Sequence, residues 1–387
     1  MQKEFEFFIT KVYHGVGAAR KLGEIVKKVG AKKVMVFHGP NVKAAGLVDP
    51  CLKSLEEAGV PYVVYDKVEI ESPMHSIEES ATLGRSEGVD TCVAIGGGSC
   101  MDTAKVARML ITTPGPCRDY TTNIGTELYP NKGAHLICIP TTSGTGSEVT
   151  FTAVMHDVEN QRKISTRNRE KLVPDYALLD PEMTKDLPPY FTAITGMDAI
   201  AHACEALCCT RSNIYTEMIC GKSLELSWKN LPIVYKEPHN MEARANMSLA
   251  AYLALTGESY GNCGHSMAHA IGADFHVSHG HCCAWTAPVA LYYTRNDCDH
   301  EIRLIARSFG LDDKSPTVAK DVANAMKQLV WSLGIKTTAE MGIKREDFIA
   351  SAPKVMVDPI HLCCHTPLTE DKARELLGEF YDQKLYE

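Results

Sequence analysis

The stretch Thr91-Cys-Val-Ala-Ile95 runs directly into Gly96-Gly-Gly-Ser99, and a helical pattern begins near Met101. An uninterrupted apolar, β-prone run is typical of a strand that is buried on both faces. Glycines after such a strand let the backbone turn sharply and come close to a bulky ligand. The stretch therefore predicts the strand–turn–helix unit of a parallel α/β sheet.

The rest of the first half repeats this alternation of short apolar runs and amphipathic helical patterns. Strand patterns cover residues 33–38, 61–65 and 135–139, and helical patterns cover residues 17–29, 51–58 and 75–87. Strands that alternate with helices indicate an open sheet of the α/β class. We therefore predict an N-terminal α/β domain.

A second turn of similar character follows a neighbouring strand pattern. His135-Leu-Ile-Cys-Ile139 leads into Pro140-Thr-Thr-Ser-Gly144-Thr-Gly-Ser-Glu148, which is rich in hydroxyls and glycines. Backbone N–H groups and the positive end of a helix favour a bound phosphate at such turns. The spacing departs from GxGxxG, and a tight turn with nothing bound would explain the first stretch alone. The two turns together favour one diphosphate-containing cofactor.

The pattern changes after residue 187, and almost everything beyond Pro188 has helical periodicity. Helical patterns cover residues 190–208, 215–230, 240–260, 264–273, 283–296, 300–308, 318–333, 345–354 and 370–381. Strand patterns disappear from this half. We therefore predict two domains: residues 1–187 form an α/β cofactor domain, and residues 188–387 form an all-helical domain.

The helical half contains histidines at spacings that suit a metal ion. Asp198-Ala-Ile-Ala-His202 and His265-Ser-Met-Ala-His269 each place two polar side chains four residues apart, and His279-Gly-His281 follows. Residues four apart lie on one helix face, so each pair can aim two donor atoms at one point. Four such side chains could surround one divalent cation. The chain has 15 histidines, so hydrogen-bonded core histidines are the alternative, and the spacing leaves open which of them bind.

Composition excludes several classes of protein. The formal charge of −8 is spread over 387 residues without long like-charge runs, which argues against a nucleic-acid partner. No apolar run is long enough to span a bilayer, and no signal peptide is recognisable, so we expect a cytoplasmic protein without a membrane partner. The 15 cysteines include adjacent pairs and no CxxC motif, which favours reduced thiols over a disulfide framework.

Four motifs in order resemble those of the iron-containing, group III alcohol dehydrogenases, which are distantly related to glycerol dehydrogenase and dehydroquinate synthase. The motifs are Gly96-Gly-Gly-Ser-Cys-Met-Asp-Thr-Ala-Lys105, Thr141-Thr-Ser-Gly-Thr-Gly-Ser-Glu148, Gly196-Met-Asp-Ala-Ile-Ala-His202 and Gly264-His-Ser-Met-Ala-His269 through Gly280. The resemblance covers nearly the whole chain. It implies a Rossmann-like, dehydroquinate synthase-like N-terminal domain, an all-α metal-binding C-terminal domain and a homodimer or higher homo-oligomer.

The resemblance also implies roles for individual residues. Asp198, His202, His265 and His279 match the family's metal ligands, usually for Fe(II), with zinc or another divalent metal possible. His269 matches a second histidine with a proton-relay or positioning role; its alternatives are outer-sphere orientation and plain packing. The matches for an NAD or NADP cofactor are Gly39, Ser72, Gly97, Gly98, Ser99, Asp102, Thr141, Thr142, Thr145 and Lys163.

The implied activity is a metal-dependent NAD(P)H alcohol dehydrogenase or aldehyde reductase that acts on a small alcohol or aldehyde. Gly39 stands where many NAD-using members carry an aspartate, so that NADPH becomes acceptable beside NADH. Thr256 stands where relatives often carry a bulky aromatic residue, which favours a polar or anionic substrate such as sulfo- or phosphono-acetaldehyde. Two alternatives remain at this point: a non-redox, NAD- and metal-dependent lyase of the dehydroquinate synthase type, and a non-catalytic metal- or nucleotide-binding sensor.

Overall fold

The computed structural model describes residues 10–121, 129–160, 162–256 and 261–383. They form two compact units, of which the first ends at Leu187 and the second begins at Pro188. The outer limits of the two predicted domains, residues 1 and 387, lie outside the described residues.

The first unit is built on a parallel sheet. Six strands lie in the order β1-β8-β5-β4-β2-β3, and every neighbouring pair is parallel. Two further strands, β6 and β7, form a separate antiparallel hairpin. The strands are β1 (Lys11–His14), β2 (Val34–Phe37), β3 (Tyr62–Tyr65), β4 (Thr91–Gly96), β5 (His135–Pro140), β6 (Thr152–Asp157), β7 (Arg162–Arg167) and β8 (Tyr176–Leu179). The predicted α/β class is confirmed, whereas the hairpin has no counterpart in the prediction.

Strand β4 lies between β5 and β2 in the middle of the sheet. Cys92 and Ala94 join the apolar cluster on one face of the sheet, and Val93 and Ile95 join the cluster on the other. Apolar residues are therefore needed at successive positions, since both faces of the strand are covered.

The described part of the first unit also contains five α-helices: α1 (Leu22–Lys28), α2 (Pro40–Ala44), α3 (Asp49–Ala58), α4 (Met74–Ser86) and α5 (Gly98–Thr112). Helix α5 begins three residues before the predicted start at Met101. Gly97 has an extended conformation (φ −86°, ψ −164°), so the chain passes from strand to helix within one residue. The early start was not predicted, because glycine has a low helix propensity.

The second unit is helical, as predicted. Its helices are α6 (Pro189–Leu207), α7 (Ile214–Lys236), α8 (Met241–Thr256), α9 (Cys263–Phe275), α10 (His279–Thr294), α11 (Asp299–Phe309), α12 (Val318–Ser332), α13 (Arg345–Ala350), α14 (Ala352–Val355) and α15 (Glu370–Tyr381). The predicted end of α8, residues 257–260, lies outside the described residues. Helix α10 begins four residues earlier than predicted. Of the helices in the described part of the chain, none has the length and apolarity that a membrane crossing requires.

The predicted metal-binding residues lie on three helices, α6, α9 and α10. Helix α6 packs against α7, α8 and α10, and α10 packs in turn against α9 and α12. Their shared core is continuous and apolar, and it includes Met197, Met267 and Ala287. A polar side chain on these inward faces leaves water and needs a partner or a ligand.

Candidate functional site

Asp198 is the centre of a buried polar cluster. It lies on α6 and is only 2% exposed. Its Oδ1 atom is buried and has no hydrogen-bond partner among the described residues. An unsatisfied carboxylate oxygen costs free energy in an apolar core, unless a ligand binds it.

Imidazoles from two other helices face this oxygen. His265 of α9 has its Nε2 atom 3.8 Å from Asp198 Oδ1, and His279 of α10 has its Nε2 atom 3.5 Å away. The Cys283 thiol, one turn after His279, belongs to the same cluster, and one donor atom from each of the four residues lies within 4.8 Å of the others. A carboxylate, two imidazoles and a thiol around one point form a set of donors that suits a divalent metal ion.

The structure places His202 beside this cluster. Its ring stacks on the His265 ring, with a centroid distance of 4.4 Å, and its Nδ1 atom lies 3.8 Å from Asp198 Oδ1. His202 and Asp198 are on the same face of α6, as the four-residue spacing predicts. All four predicted metal ligands are thus near one another, although the assignment of His202 as a ligand stays a prediction.

Glu205 fixes the orientation of His265. One carboxylate oxygen accepts from His265 Nδ1 at 2.9 Å, and the other accepts the backbone N–H groups of Asn262 (2.6 Å) and His265 (3.0 Å). An ionised carboxylate only accepts hydrogen bonds, so Nδ1 carries the proton and Nε2 faces Asp198. Burial alone lowers the pKa of His265, but Glu205, followed by Asp198 and Asp358, raises it overall to about 9. Surroundings that favour a proton on His265 also favour a bound cation.

His269 lies at the edge of the cluster. Its Nδ1 atom donates to Asp358 Oδ2, and its ring stacks on the His279 ring at a centroid distance of 5.0 Å. The backbone N–H of Ile360 donates to the other Asp358 oxygen at 3.0 Å, which holds the carboxylate in place. The donor cluster does not include His269, and the assignment of His265 rather than His269 as a ligand stays a prediction.

His281 has a structural role. Its Nδ1 atom lies 3.0 Å from the Tyr190 hydroxyl, and its Nε2 atom donates to the Lys336 carbonyl at 2.8 Å. Burial lowers the pKa of this histidine. Both ring nitrogens have hydrogen-bond partners, so His281 is a hydrogen-bonded core histidine, the alternative to a metal ligand that the sequence analysis named.

Two glycines allow the helices of the cluster to come together. A Cβ atom on Gly264 would lie 2.4 Å from Glu205 Oε1, and one on Gly280 would lie 2.4 Å from the Ile194 carbonyl oxygen. Any side chain at either position would push α9 or α10 away from α6.

The sequence reasoning missed three residues of this site: Glu205, Cys283 and Asp358. Glu205 follows His202 by three residues, and Cys283 follows His279 by four, so both lie on the helix face of a predicted ligand. That spacing could have identified them. No local signal connects Asp358 with His269, because the contact joins distant parts of the chain.

In the first unit, the two predicted turns lie side by side. Strands β4 and β5 pair in parallel up to Gly96 and Pro140, and the Thr141 N–H donates to the Gly96 carbonyl at 3.0 Å. A Cβ atom on Gly97 would lie 3.3 Å from Thr142 Oγ1, and one on Gly98 would lie 3.0 Å from Thr145 Cγ2. The glycine backbone and the threonine side chains therefore form one continuous surface at the start of α5.

The loop after β3 contacts the start of α5. Ser72, which has a positive φ of 52°, donates from its hydroxyl to the Ser99 carbonyl at 2.8 Å. Glu71 donates its backbone N–H to Ser99 Oγ at 2.9 Å, and its carboxylate pairs with Lys163 at 2.7 Å. Ser72, Ser99 and Lys163 thus lie close to Glu71, whose carboxylate pairs with Lys163. Their shared role in cofactor binding stays a prediction.

Asp102 is held by neighbours in the same unit. Its carboxylate accepts from Ser147 Oγ at 2.6 Å and from the Val154 N–H at 2.9 Å. Lys105 Nζ lies 3.7 Å away and donates to Thr150 Oγ1 and to the Thr152 carbonyl. These contacts connect α5 with the second turn and the hairpin, so Asp102 orders the second turn, and its role in cofactor binding stays a prediction.

The position after β2 bears no carboxylate. Gly39 caps α2 with φ −92°, and a Cβ atom there would lie 3.2 Å from the Val68 carbonyl oxygen. His38 is buried, and its Nδ1 atom lies 3.1 Å from the Gly39 carbonyl oxygen. His38 is thus occupied within its own loop. The Thr256 hydroxyl donates to the Tyr252 carbonyl at 2.7 Å, so it is likewise satisfied within α8.

Comparisons with known proteins agree with both units. The family model for iron-containing alcohol dehydrogenases matches residues 10–181, and the model for the C-terminal domain of the same family matches residues 192–381. A choline dehydrogenase of Bacillus subtilis (strain 168) is 34% identical over 367 residues, which are 93% of this chain and 90% of that protein. A sulfoacetaldehyde reductase of Bilophila wadsworthia (strain 3_1_6) is 32% identical over 358 residues, 90% of this chain and 91% of that protein.

A solved structure extends the likeness to the fold. The alcohol dehydrogenase from Oenococcus oeni superposes with a TM-score of 0.92 at 30% identity, over 98% of this chain and 100% of that chain. A parallel α/β unit with a glycine turn, followed by a helical unit with a carboxylate–imidazole cluster, defines a class of nicotinamide- and metal-dependent oxidoreductases. Within it, the chain belongs to the iron-containing alcohol dehydrogenase family. It is an NAD(P)-dependent enzyme of that family, which favours the dehydrogenase interpretation over the lyase and the sensor.

Proposed function

We propose that the enzyme interconverts a small primary alcohol and its aldehyde by hydride transfer, with Asp198, His202, His265 and His279 holding a divalent cation. The supporting observation is the buried Asp198 Oδ1 atom, which has no hydrogen-bond partner among the described residues and faces imidazoles from three helices. When bound, the cation polarises the substrate oxygen, which lowers the pKa of an alcohol and activates a carbonyl.

The protein residues have separable tasks in this proposal. Glu205 keeps the Nδ1–H tautomer of His265, so that the Nε2 lone pair faces the cation. Asp358 accepts from Nδ1 of His269 in the same way, which leaves the Nε2 atom of His269 to take up or release the substrate proton. His269 is thus proposed as the proton-transfer residue.

The cofactor is proposed to bind at the turn that Gly97, Gly98 and Thr142 form. Backbone N–H groups at the start of α5 can receive its diphosphate, because Gly97 and Gly98 carry no side chains of their own that would block its approach. The other residues proposed for this site are Gly39, Ser72, Ser99, Asp102, Thr141, Thr145 and Lys163. We propose that both NADH and NADPH are accepted, since Gly39 supplies no carboxylate to repel a 2′-phosphate.

The first test combines activity with metal content. An aldehyde panel with NADH and NADPH should consume the reduced cofactor, and His265→Ala should lose bound metal and turnover together. His269→Ala should keep its metal by elemental analysis while kcat falls by about 10²–10⁴-fold, the usual contribution of a general acid or base. A His265→Ala protein with full metal content, or a His269→Ala protein with unchanged kcat, would contradict the assignment.

We propose that the substrate is a two-carbon alcohol or aldehyde with a charged head group. One candidate is an anionic aldehyde such as sulfoacetaldehyde or phosphonoacetaldehyde. The similarity to the sulfoacetaldehyde reductase supports it. The second is a quaternary ammonium alcohol, which the Asp358 carboxylate next to His269 favours by charge and to which the choline dehydrogenase similarity also points.

A comparison of kcat/KM separates these candidates. Sulfoacetaldehyde, phosphonoacetaldehyde, betaine aldehyde and butyraldehyde should be measured as substrates for reduction, and choline for oxidation. Relative to butyraldehyde, which reports the effect on His269 alone, Asp358→Asn should lower kcat/KM further for a cationic substrate and less for an anionic one. A clear preference for butyraldehyde over every charged compound would sink both candidates and leave a plain alkyl aldehyde.

A further inference from the structure

The Cys283 thiol shares the metal cluster, and we propose that it is a direct metal ligand, which gives the centre a sulfur donor and a preference for Zn²⁺ over Fe²⁺. The inference deepens the proposed function and rests on its metal site. The thiol lies on α10 one turn after His279 and is fully buried. The sequence pattern and the family resemblance gave it no role.

The distances fit a four-coordinate centre. Cys283 Sγ lies 3.5 Å from His279 Nε2 and 3.7 Å from His265 Nε2, while Asp198 Oδ1 lies 3.5 and 3.8 Å from the same two atoms. Ligand atoms at the usual zinc bond lengths are about 3.3–3.8 Å apart at the corners of a tetrahedron. These four of the six separations match the edges of a tetrahedral donor set, and the other two are below 4.8 Å.

The surroundings of Cys283 differ from those of other buried thiols. Cys51, Cys100 and Cys282 donate to backbone carbonyl oxygens, as a buried thiol in a helical or sheet core usually can. The polar atoms near Cys283 Sγ are instead nitrogens of the His265 and His279 rings, which also face Asp198. A buried thiol that faces the proposed metal ligands, and not a carbonyl oxygen, has the position expected of a further metal ligand.

The chemistry of the donor set then selects the metal. On binding, the Cys283 S–H bond breaks, the proton leaves to water and a sulfur–metal bond forms, with no electron transferred. Thiolate is a soft donor that strengthens Zn²⁺ binding more than Fe²⁺ binding, since the harder Fe²⁺ favours nitrogen and oxygen. His202, stacked on His265 and 3.8 Å from Asp198 Oδ1, stays among the residues proposed to hold the cation.

The test uses cobalt as a spectroscopic substitute. The metal-free enzyme should be loaded with Co²⁺, and the near-ultraviolet absorbance should show a sulfur-to-cobalt charge-transfer band. The band should disappear in Cys283→Ser and persist in Cys282→Ser, a matched control whose thiol donates to the Val277 carbonyl. In anaerobic competition, the bound Zn:Fe ratio of Cys283→Ser should fall by at least about 10-fold, the lower range for loss of a residue that supports a metal site.

A measurement on the unaltered enzyme covers the case in which Cys283→Ser does not fold. X-ray absorption of the Zn-loaded protein should require one sulfur neighbour at about 2.3 Å. A first shell of nitrogen and oxygen alone, or a charge-transfer band that survives in folded Cys283→Ser, would overturn the inference. The result is independent of turnover: a sulfur ligand without dehydrogenase activity would sink only the proposed function, and activity without a sulfur ligand would sink only this inference.

Discussion

Glu205 shows how much a residue can control without touching a substrate. Its carboxylate receives hydrogen bonds from His265 Nδ1 and from two backbone N–H groups, and it is fully buried. Glu205→Gln replaces one acceptor oxygen with an NH₂ group that faces these donors. We expect metal affinity to fall by about 10- to 100-fold, as is typical when a partner of a ligating histidine is lost.

Chelator competition measures this change in affinity. Glu217→Gln is the matched control, because Glu217 lies on α7 and is paired only loosely with the exposed His300 at 3.5 Å. Equal metal dissociation constants for wild type and Glu205→Gln would show that His265 needs no such support.

Gly39 offers a test of cofactor choice at the same scale. Gly39→Asp places a carboxylate after β2, where it can accept from a ribose hydroxyl and repel a 2′-phosphate. The backbone (φ −92°) tolerates a side chain, although the Val68 carbonyl is close to the new Cβ atom. We expect the NADPH:NADH ratio of kcat/KM to fall by about 10-fold or more. A tenfold change corresponds to a free-energy difference of about 1.4 kcal/mol.

Gly39→Asn separates charge from bulk in that experiment. It has nearly the same size and no charge, so it should leave the ratio close to that of the wild type. A similar fall in both variants would mean that crowding against Val68, and not electrostatic repulsion, changes cofactor preference.

Sequence reasoning located residues that are paired by helical spacing, but it did not find contacts between distant segments of the chain. Helical spacing put Asp198 and His202 on one face, and the structure has them there. It could not show that Glu205 reaches α9 or that Asp358 reaches His269, because each contact depends on the packing of distant segments. The prediction gave Cys283 no role, although it follows His279 by four residues on the same helix face.

At the scale of elements, α10 depends on one glycine. Gly280 lies against the Ile194 carbonyl of α6, and a methyl group there would come within 2.4 Å of that oxygen. Gly280→Ala should therefore separate α10 from α6 and destabilise the protein by about 1–3 kcal/mol. Urea unfolding and metal content should both report the change.

Gly221→Ala is the control for a helical glycine with space around it. Its new Cβ atom would lie 3.7 Å from the nearest Leu304 atom, an ordinary contact. Alanine has a higher helix propensity than glycine, so we expect a gain of about 0.5–1 kcal/mol. Opposite signs for Gly280→Ala and Gly221→Ala are the prediction, and equal losses would remove the steric explanation.

The same helix explains an error of prediction. We predicted that it starts near Cys283, because His279-Gly-His281 contains a weak helix former and resembles a turn. In the structure, His279 is the first residue of α10, which brings His279 and Cys283 onto one face. The hairpin of β6 and β7 was missed for a related reason: Thr152–Asp157 alternates in burial but not in hydrophobicity.

At the scale of the whole molecule, the cysteines serve as apolar residues of the core and not as disulfide partners. Fourteen of the 15 are buried, and Cys363 is partly exposed. Burial raises the pKa of Cys51, Cys92 and Cys100 to about 12. Because the thiolate is the reactive form, a raised pKa leaves little of it at neutral or mildly alkaline pH.

Thiol titration should therefore have two stages. The native enzyme should react rapidly at one thiol, and the protein in denaturant should react at all 15. Cys363→Ser should abolish the rapid phase, while Cys51→Ser should leave it unchanged. Rapid modification of several thiols in the native state would show that the buried cysteines open to solvent readily.

The origin of the metal donors has a consequence for the order of assembly. They come from α6, α9 and α10, so an unfolded chain offers only isolated pairs, such as Asp198 with His202, and these bind cations weakly. The complete set exists only after the three helices have packed. If these residues hold the proposed cation, we expect it to be bound only after the three helices have packed, so that metal content would report the fraction of correctly packed molecules.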